Sequence, residues 1–307
     1  MARIATVFLA TGVQGTSVVQ ALLEDGTFKP RAVTRNANSD AGRSLAALGA
    51  EVVEAIFDDK DALKRAVSGT ECVFLATIPT PGGLPELAQG RNVIEACKEA
   101  GVKFVVLSSL PSLNELSHGK YTHALHFDHK AALQKDLEES GIPCASVCPG
   151  SFLENISRGM LGCPFEETET HYILHTREVA GLPVVQTWTG RDMGRAVVTL
   201  FTQYDTRGPE IIKKTFVLGC QRATTEETAA ELAKGLGKPV EVQRLGAFGI
   251  PPIDEMWAAA AEFDWYPGVD VPDKRLAALG VEVGTIEGFG REVLKGAHVE
   301  ARAAAFH

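Results

Sequence analysis

The chain is short of basic charge, aromatic residues and cysteine, and it has no long apolar run. Lys and Arg number 30 against 39 Asp and Glu, a formal net charge of −9. That deficit argues against a general binder of nucleic-acid backbone, which works by neutralising phosphates and releasing their counterions. Six cysteines in 307 residues are too sparse for a disulfide framework and read as reduced, buried thiols. Cys144 and Cys148 would share a strand face without being near enough to chelate a metal. No stretch reaches the roughly 18 apolar residues of a membrane-spanning helix. The apolar opening over residues 4–9 runs into a glycine loop, so it reads as a first buried strand and not as a signal peptide. The expectation is a cytoplasmic protein, off the membrane and not bound directly to nucleic acid, with nuclear entry left open.

What is present is an ordinary globular composition, 45% hydrophobic and 22% charged. At about 150 residues per domain the length suits one large domain or two modest ones. The first half alternates in strict rhythm. Strands are expected over 4–9, 30–34, 51–55, 72–78, 103–107 and 143–147. Helices are expected over 17–26, 45–48, 61–67, 84–100 and 126–140, several of them stopped by a glycine. This alternation predicts an α/β fold with a doubly wound parallel sheet, helices covering both faces. After Pro149 the rhythm loosens and glycine and proline become frequent. Asp192 is read as the N-cap of a helix through 197–201, with later helices over 225–235, 253–264 and 285–296 and strands over 216–218 and 240–244. Residues 1–150 are therefore expected to form a dinucleotide-binding domain. Residues 151–307 would form a smaller α/β lobe interleaved with the last sheet strands.

The first loop, Leu9-Ala10-Thr11-Gly12-Val13-Gln14-Gly15, follows a strand and opens a helix. A helix N-terminus presents free N–H groups to a pyrophosphate. Gly12 lets the backbone approach the phosphates and Gly15 lets helix and strand pack closely, while Thr11 lies in the turn between. The spacing is G-x-x-G-x-x-G with Leu9 in the first glycine's place. The second strand ends in Thr34-Arg35-Asn36 instead of the usual acid, and Arg35, a permanent planar cation, suits an adenosine 2′-phosphate. Asp58 and Asp59 follow the third strand. One of them can accept a hydrogen bond from an adenine amino group, or Asp59 can cap the helix from Lys60.

These stretches carry a family resemblance. FLATGVQGTSVVQALLEDGTFKPRAVTRN, GAEVVEAIFDD, HFDHKAALQKDLEESGIP, CPGSFLENI, GRDMGRAVVTLF and TIEGFGREVL resemble the NmrA-like family, a branch of the atypical short-chain dehydrogenase/reductases. The resemblance runs through nearly the whole chain and is densest over residues 4–155. It implies a Rossmann-like fold and an NADP(H) site at the carboxyl ends of the strands. Gly12, Gln14 and Gly15 match the phosphate loop and Arg35 the 2′-phosphate position. Thr77 matches a cofactor contact after the fourth strand, and Lys130 the lysine at the nicotinamide ribose. Pro149, Phe152 and Asn155 match the nicotinamide-side loop. The family has glycine where this chain has Leu9.

Standard short-chain reductases use Tyr-x-x-x-Lys. Here the residue four before Lys130 is His126. An imidazole can transfer a proton near neutrality, and a lysine ammonium can orient ribose or carbonyl. Ser108 and Ser109 follow the fifth strand, where a catalytic hydroxyl is often placed in this fold. His118, His123, His126 and His129 cluster, but no carboxylate or thiolate spacing completes a metal site, and none is expected. Tyr121 is a candidate for substrate contact or for a displaced phenol. Trp257, Phe263, Trp265 and Tyr266 are read as core or as the wall of a site for a flat substrate.

Three readings follow. The first is an NADPH-dependent reductase of a small carbonyl or conjugated, quinone- or polyketide-like, substrate. The second is an NADP(H) redox sensor that binds a partner protein. The third is a redox-neutral cyclase, isomerase or lyase in an inherited pocket, which the bulk of Leu9 favours. A homodimer is compatible with each.

Overall fold

Short strands that are apolar at every position belong inside a sheet covered on both faces. The computed structural model, which describes residues 3–80 and 82–295, places them there. Six strands alternate with helices in the first half: β1 (Ile4–Val7), β2 (Lys29–Thr34), β3 (Glu51–Glu54), β4 (Cys72–Leu75), β5 (Phe104–Ser108) and β6 (Cys144–Pro149). Seven more follow: β7 (Ser151–Phe152), β8 (Phe165–Glu167), β9 (Tyr172–Thr176), β10 (Val184–Thr187), β11 (Thr215–Leu218), β12 (Gln221–Ala223) and β13 (Val240–Arg244). The large sheet has the order β11-β6-β5-β4-β1-β2-β3 with every neighbouring pair parallel. Strand order reverses between β1 and β4, and such a switch opens a crevice at the strands' carboxyl ends.

The helices of the first half are α1 (Val13–Asp25), α2 (Asp40–Ala47), α3 (Lys60–Val67), α4 (Glu86–Ala100), α5 (Leu113–Leu116) and α6 (Leu125–Glu139). The second half adds α7 (Glu154–Arg158), α8 (Thr189–Gln203), α9 (Gly208–Ile211), α10 (Thr225–Leu236), α11 (Pro251–Glu262), α12 (Lys274–Ala278) and α13 (Ile286–Phe289). One sheet face is covered by α1 and α8, with Val18, Leu22, Val197 and Phe201 in its core. The other is covered by α3, α4 and α6 through Leu63, Val93 and Leu133. The contact between α1 and α8 is backbone-close. A Cβ on Gly194 would lie 2.2 Å from the Ser17 carbonyl oxygen, and the Gly194 N–H donates to Ser17 Oγ at 2.9 Å. Two three-stranded sheets, β12-β10-β7 and β13-β9-β8, build a separate layer with a core of Phe165, Leu174, Leu232 and Phe289.

Two expected elements are corrected. Asp192 is not an N-cap: α8 begins three residues earlier, and its first amides donate to the buried Glu154 carboxylate, from Thr189 at 3.2 Å and Gly190 at 2.7 Å. Asp192 instead accepts the Gly284 N–H at 3.1 Å, tying the C-terminal segment to α8. The helix expected over 285–296 is α13 followed by a π-helical turn, Gly290–Leu294, and Gly296 lies outside the described residues. Cys72, Cys97, Cys144, Cys148 and Cys220 are free and buried, and Cys163 is half-buried.

Candidate functional site

The loop after β1 turns through Leu9, whose φ is +50°, the left-handed region that glycine tolerates and leucine does not. The Gly12 N–H closes the turn on the Leu9 carbonyl at 2.9 Å. Helix α1 then starts with no side-chain cap and no acid in its first turn. Its first intrahelical donor is Thr16, to the Gly12 carbonyl at 2.8 Å, so the amides of Val13, Gln14 and Gly15 have no intrahelical acceptor. By contrast, Ser39, Asp59 and Thr224 cap α2, α3 and α10. Gly15 is fixed by sterics, because a Cβ there would sit 2.2 Å from the Leu9 carbonyl oxygen and 2.6 Å from Ala10 Cα.

A cleft of about 490 Å³ opens over this loop at the ends of the first four strands. Thr11 and Gly12 line it, with Ile56 and Ile78, which are 49% and 51% exposed although large and apolar. Arg35 lies on its rim. It is exposed and has no hydrogen bond or ion pair among the described residues. Arg31, four residues earlier in β2, is spent on the Ala66 and Ser68 carbonyls at 2.9 and 2.7 Å and on Glu51 at 3.1 Å. Asp58 lines the cleft, whereas Asp59 caps α3 by accepting the Ala62 N–H at 2.9 Å.

The candidate catalytic groups cluster around the ends of β4, β5 and β6. Ser108 Oγ is 2.7 Å from Gln14 Oε1 and donates to it, joining the end of β5 to the start of α1. Lys130 points inward from α6. Its ammonium donates to the Thr77 carbonyl at 3.0 Å, to Thr77 Oγ1 at 3.2 Å and to the Glu86 carboxylate. An ammonium has three N–H groups, so all are engaged. Burial lowers the Lys130 ammonium from its usual range. Thr77 Oγ1 donates to the same Glu86 oxygen at 2.8 Å, while Glu86 Oε2 is buried with no partner. His126 lies one turn before Lys130 on α6, edge-on to Phe127, and burial lowers its ring below the ordinary histidine value, so it is neutral at pH 7.

Pro149 presents its carbonyl to the buried Tyr266 hydroxyl at 3.0 Å. Phe152 and Asn155 line a second cavity in the smaller lobe together with Trp257. Tyr266 is a buried core residue and Phe263 and Trp265 are half-buried against small cores, so the aromatic group divides between wall and core. Tyr121 is corrected: it is buried, and its hydroxyl donates to Glu262 at 2.9 Å. The histidines are dispersed in their roles, His123 pairing with Glu255 at 2.6 Å. Among the described residues no three His, Cys, Asp or Glu side chains are grouped to hold a metal ion, and no helix is long and apolar enough to cross a membrane.

Sequence reasoning missed Glu86, Gln89 and Glu178. The first two sit one turn apart at the start of α4, and nothing in their local sequence marks them. They are 3% and 2% exposed because the chain after β4 folds back over them, Gln89 Nε2 donating to the Ile78 and Leu84 carbonyls at 2.9 and 3.0 Å.

Comparison with known proteins follows the same lines. The model of the NmrA-like family matches residues 1–250. An NmrA-like family domain-containing oxidoreductase of Malbranchea aurantiaca is 33% identical over 194 residues, 58% of this chain and 57% of that protein. Another, from Aspergillus flavus, is 37% identical over 124 residues, covering 38% of this chain and 37% of that one. The match thus spans between about a third and somewhat over half of these relatives. Among solved structures, the negative transcriptional regulator NmrA in complex with NADP superposes with a TM-score of 0.79 at 16% identity, over 95% of this chain and 96% of that one. The Citrobacter triphenylmethane reductase complexed with NADP(H) gives 0.71 at 19% identity, over 94% and 99%. At such identities the likeness is one of fold.

Proposed function

Because the chain belongs to the NmrA-like family, we propose that its cleft binds NADP(H) and that the protein is an NADPH-dependent reductase of a small carbonyl or conjugated substrate. One observation carries the cofactor reading: the Thr11–Gly12 turn that leads into the acceptor-free first turn of α1 and the unpaired Arg35 guanidinium line one cleft. The amides of Val13, Gln14 and Gly15 would take the pyrophosphate, with Thr11 and Gly12 beside it, and Arg35 the 2′-phosphate. Ile56 and Ile78 would flank the adenine and Asp58 would accept from its amino group. The loop accommodates this reading despite Leu9, since its φ is already positive. Pro149, Phe152 and Asn155 would border the nicotinamide, which when bound supplies a hydride. Ser108, once its one proton turns from Gln14 to the substrate, and the neutral His126 are the chain's own groups for holding a carbonyl and passing a proton.

The test is calorimetric titration of NADPH and NADH into wild type and Arg35→Ala. Removing a charge-assisted phosphate contact should cost about 1.5–3 kcal/mol for NADPH and spare NADH. Binding of neither nucleotide to wild type sinks the reading and returns the site to redox-neutral chemistry. NADPH oxidation with a panel of quinones and ketones then tests the reductase.

A second reading, an NADP(H) sensor read by a partner protein, is favoured by one observation. No tyrosine precedes Lys130 by four residues, and the ammonium itself is engaged by Thr77 and Glu86. Tight NADPH binding without turnover, with a cofactor-dependent change in association, is the outcome that selects it.

A further inference from the structure

The smaller lobe contains a cavity of about 130 Å³ between β7, β9, α7, α10 and α11. We propose that this cavity binds a neutral six-membered ring bearing a hydroxyl group, of which phenol is the simplest case, and that this ring is the portion of the substrate the lobe recognises. Only the second clause rests on the reductase reading.

Size sets the ring count. An apolar cavity of roughly 150 Å³ holds one benzene molecule, so about 130 Å³ suits a single ring. The walls supply the apolar contact: Phe152, Ile156, Leu174 and Trp257 all line the space. Phe152 is also the residue that borders the nicotinamide in the cofactor reading, which sets a bound ring beside the reacting end.

The polar groups set the substituent. Thr228, on α10, is 3% exposed, and its hydroxyl has no partner. A threonine within a helix ordinarily bonds back to the carbonyl one turn earlier, and this one does not. A buried hydroxyl left without a partner is unfavourable, and a ligand group in the cavity removes that penalty. His175 Nδ1 lies 3.0 Å from the Pro164 carbonyl. A carbonyl only accepts, so the tautomer this bond selects has its proton on Nδ1 and an acceptor at Nε2. Glu178 lines the same space, its carboxyl accepting from the Thr225 hydroxyl at 2.5 Å and kept protonated to higher pH by burial.

The wall therefore offers an acceptor and an unpaired hydroxyl. A ligand carrying only a carbonyl would leave the imidazole acceptor unmatched. An anionic ligand would have to draw on Arg177, the cation on the wall, whose guanidinium is already engaged by the Gly246 carbonyl, the Phe248 ring and Cys163. A hydroxyl both donates and accepts, and meets both requirements.

The experiment titrates phenol and toluene, which differ by hydroxyl against methyl, into the nucleotide-free protein by calorimetry, for wild type and Thr228→Val. Saturable phenol binding about tenfold tighter than toluene is expected. Thr228→Val should weaken phenol about fivefold and leave toluene unchanged. Trp257→Ala, a change on a half-exposed side chain, should weaken both and covers the case in which Thr228→Val does not fold. Equal affinity for the two rings, no saturable phenol binding, or a Thr228→Val protein that binds phenol like wild type overturns the proposal. NADPH is titrated in the same preparation. Phenol binding without NADPH binding keeps the ring site and removes the cofactor reading, and the converse removes the ring site alone.

Discussion

Lys130 and Glu86 form a buried ion pair, their side chains 11% and 2% exposed, that ties the middle of α6 to the first turn of α4. The chain's one lysine at the short-chain reductase position is thereby anchored to the scaffold, with the Thr77 carbonyl as its third support. Breaking such a pair from one side leaves an uncompensated charge, whereas replacing both partners by apolar groups removes the desolvation penalty as well. Glu86→Gln is expected to destabilise by roughly 3–5 kcal/mol in urea unfolding. The double change Glu86→Leu with Lys130→Met should recover most of that loss. A Glu86→Gln protein as stable as wild type would show the pair to be open to solvent.

Leu9 gives a second test, because its strain can be separated from its packing. The side chain is half-buried against the main core, so removing it costs contact whichever small residue replaces it. Leu9→Ala and Leu9→Gly lose nearly the same contact but differ in tolerance of φ +50°. A left-handed conformation costs a residue with a Cβ about 1–2 kcal/mol. Leu9→Gly should therefore be more stable than Leu9→Ala by about 1 kcal/mol, and should bind NADPH at least as tightly as wild type. Equal stability of the two variants would mean that the loop relaxes out of the left-handed region.

Gly15 allows no such choice. The atoms that a Cβ would meet at 2.2 and 2.6 Å are backbone, belonging to Leu9 and Ala10, and cannot swing away as a flexible side chain would. Gly15→Ala must move α1 off the loop and, through Ser17, disturb the contact with α8. The expected cost is roughly 3 kcal/mol, at the upper end for overpacking. Denaturant unfolding measures it, and a loss under about 1 kcal/mol would show the loop to be compliant.

These residues also show what was legible in the sequence. The sheet was, because β4, β5 and β6 are buried at every position and so are apolar apart from Ser108 and Ser146. The loop at Leu9–Gly15 was, because its steric needs fall within seven neighbouring residues. Three acidic residues were not. Glu86, Glu154 and Glu178 carry no local sign of their pairing, since the partner of each carboxylate is distant in sequence: Lys130, the α8 amides and Thr225. Asp192 erred for the same reason. It has the right chemistry for a cap at the right distance from the helix, but Glu154 occupies the capping place and Gly284 claims the Asp192 carboxylate. Tyr121 likewise meets its partner Glu262 only after α11 has folded across it.

Glu178 gives a pH dependence with a definite sign. Burial raises its carboxyl above the ordinary glutamate value of about 4.3, although the Thr225 hydroxyl and the nearby Arg244 oppose the shift. Between the unfolded value and the raised folded one, the folded protein holds a proton that the unfolded chain has released. In that window the unfolded state binds fewer protons, so stability falls as pH rises. Glu178→Gln keeps the shape and an acceptor for Thr225 while abolishing the titration. Melting temperatures of both proteins from pH 4 to 8 should diverge, with the variant's advantage growing as pH rises through the window and then levelling off. A constant difference across the range would mean that Glu178 titrates alike in both states and is not enclosed by the lobe.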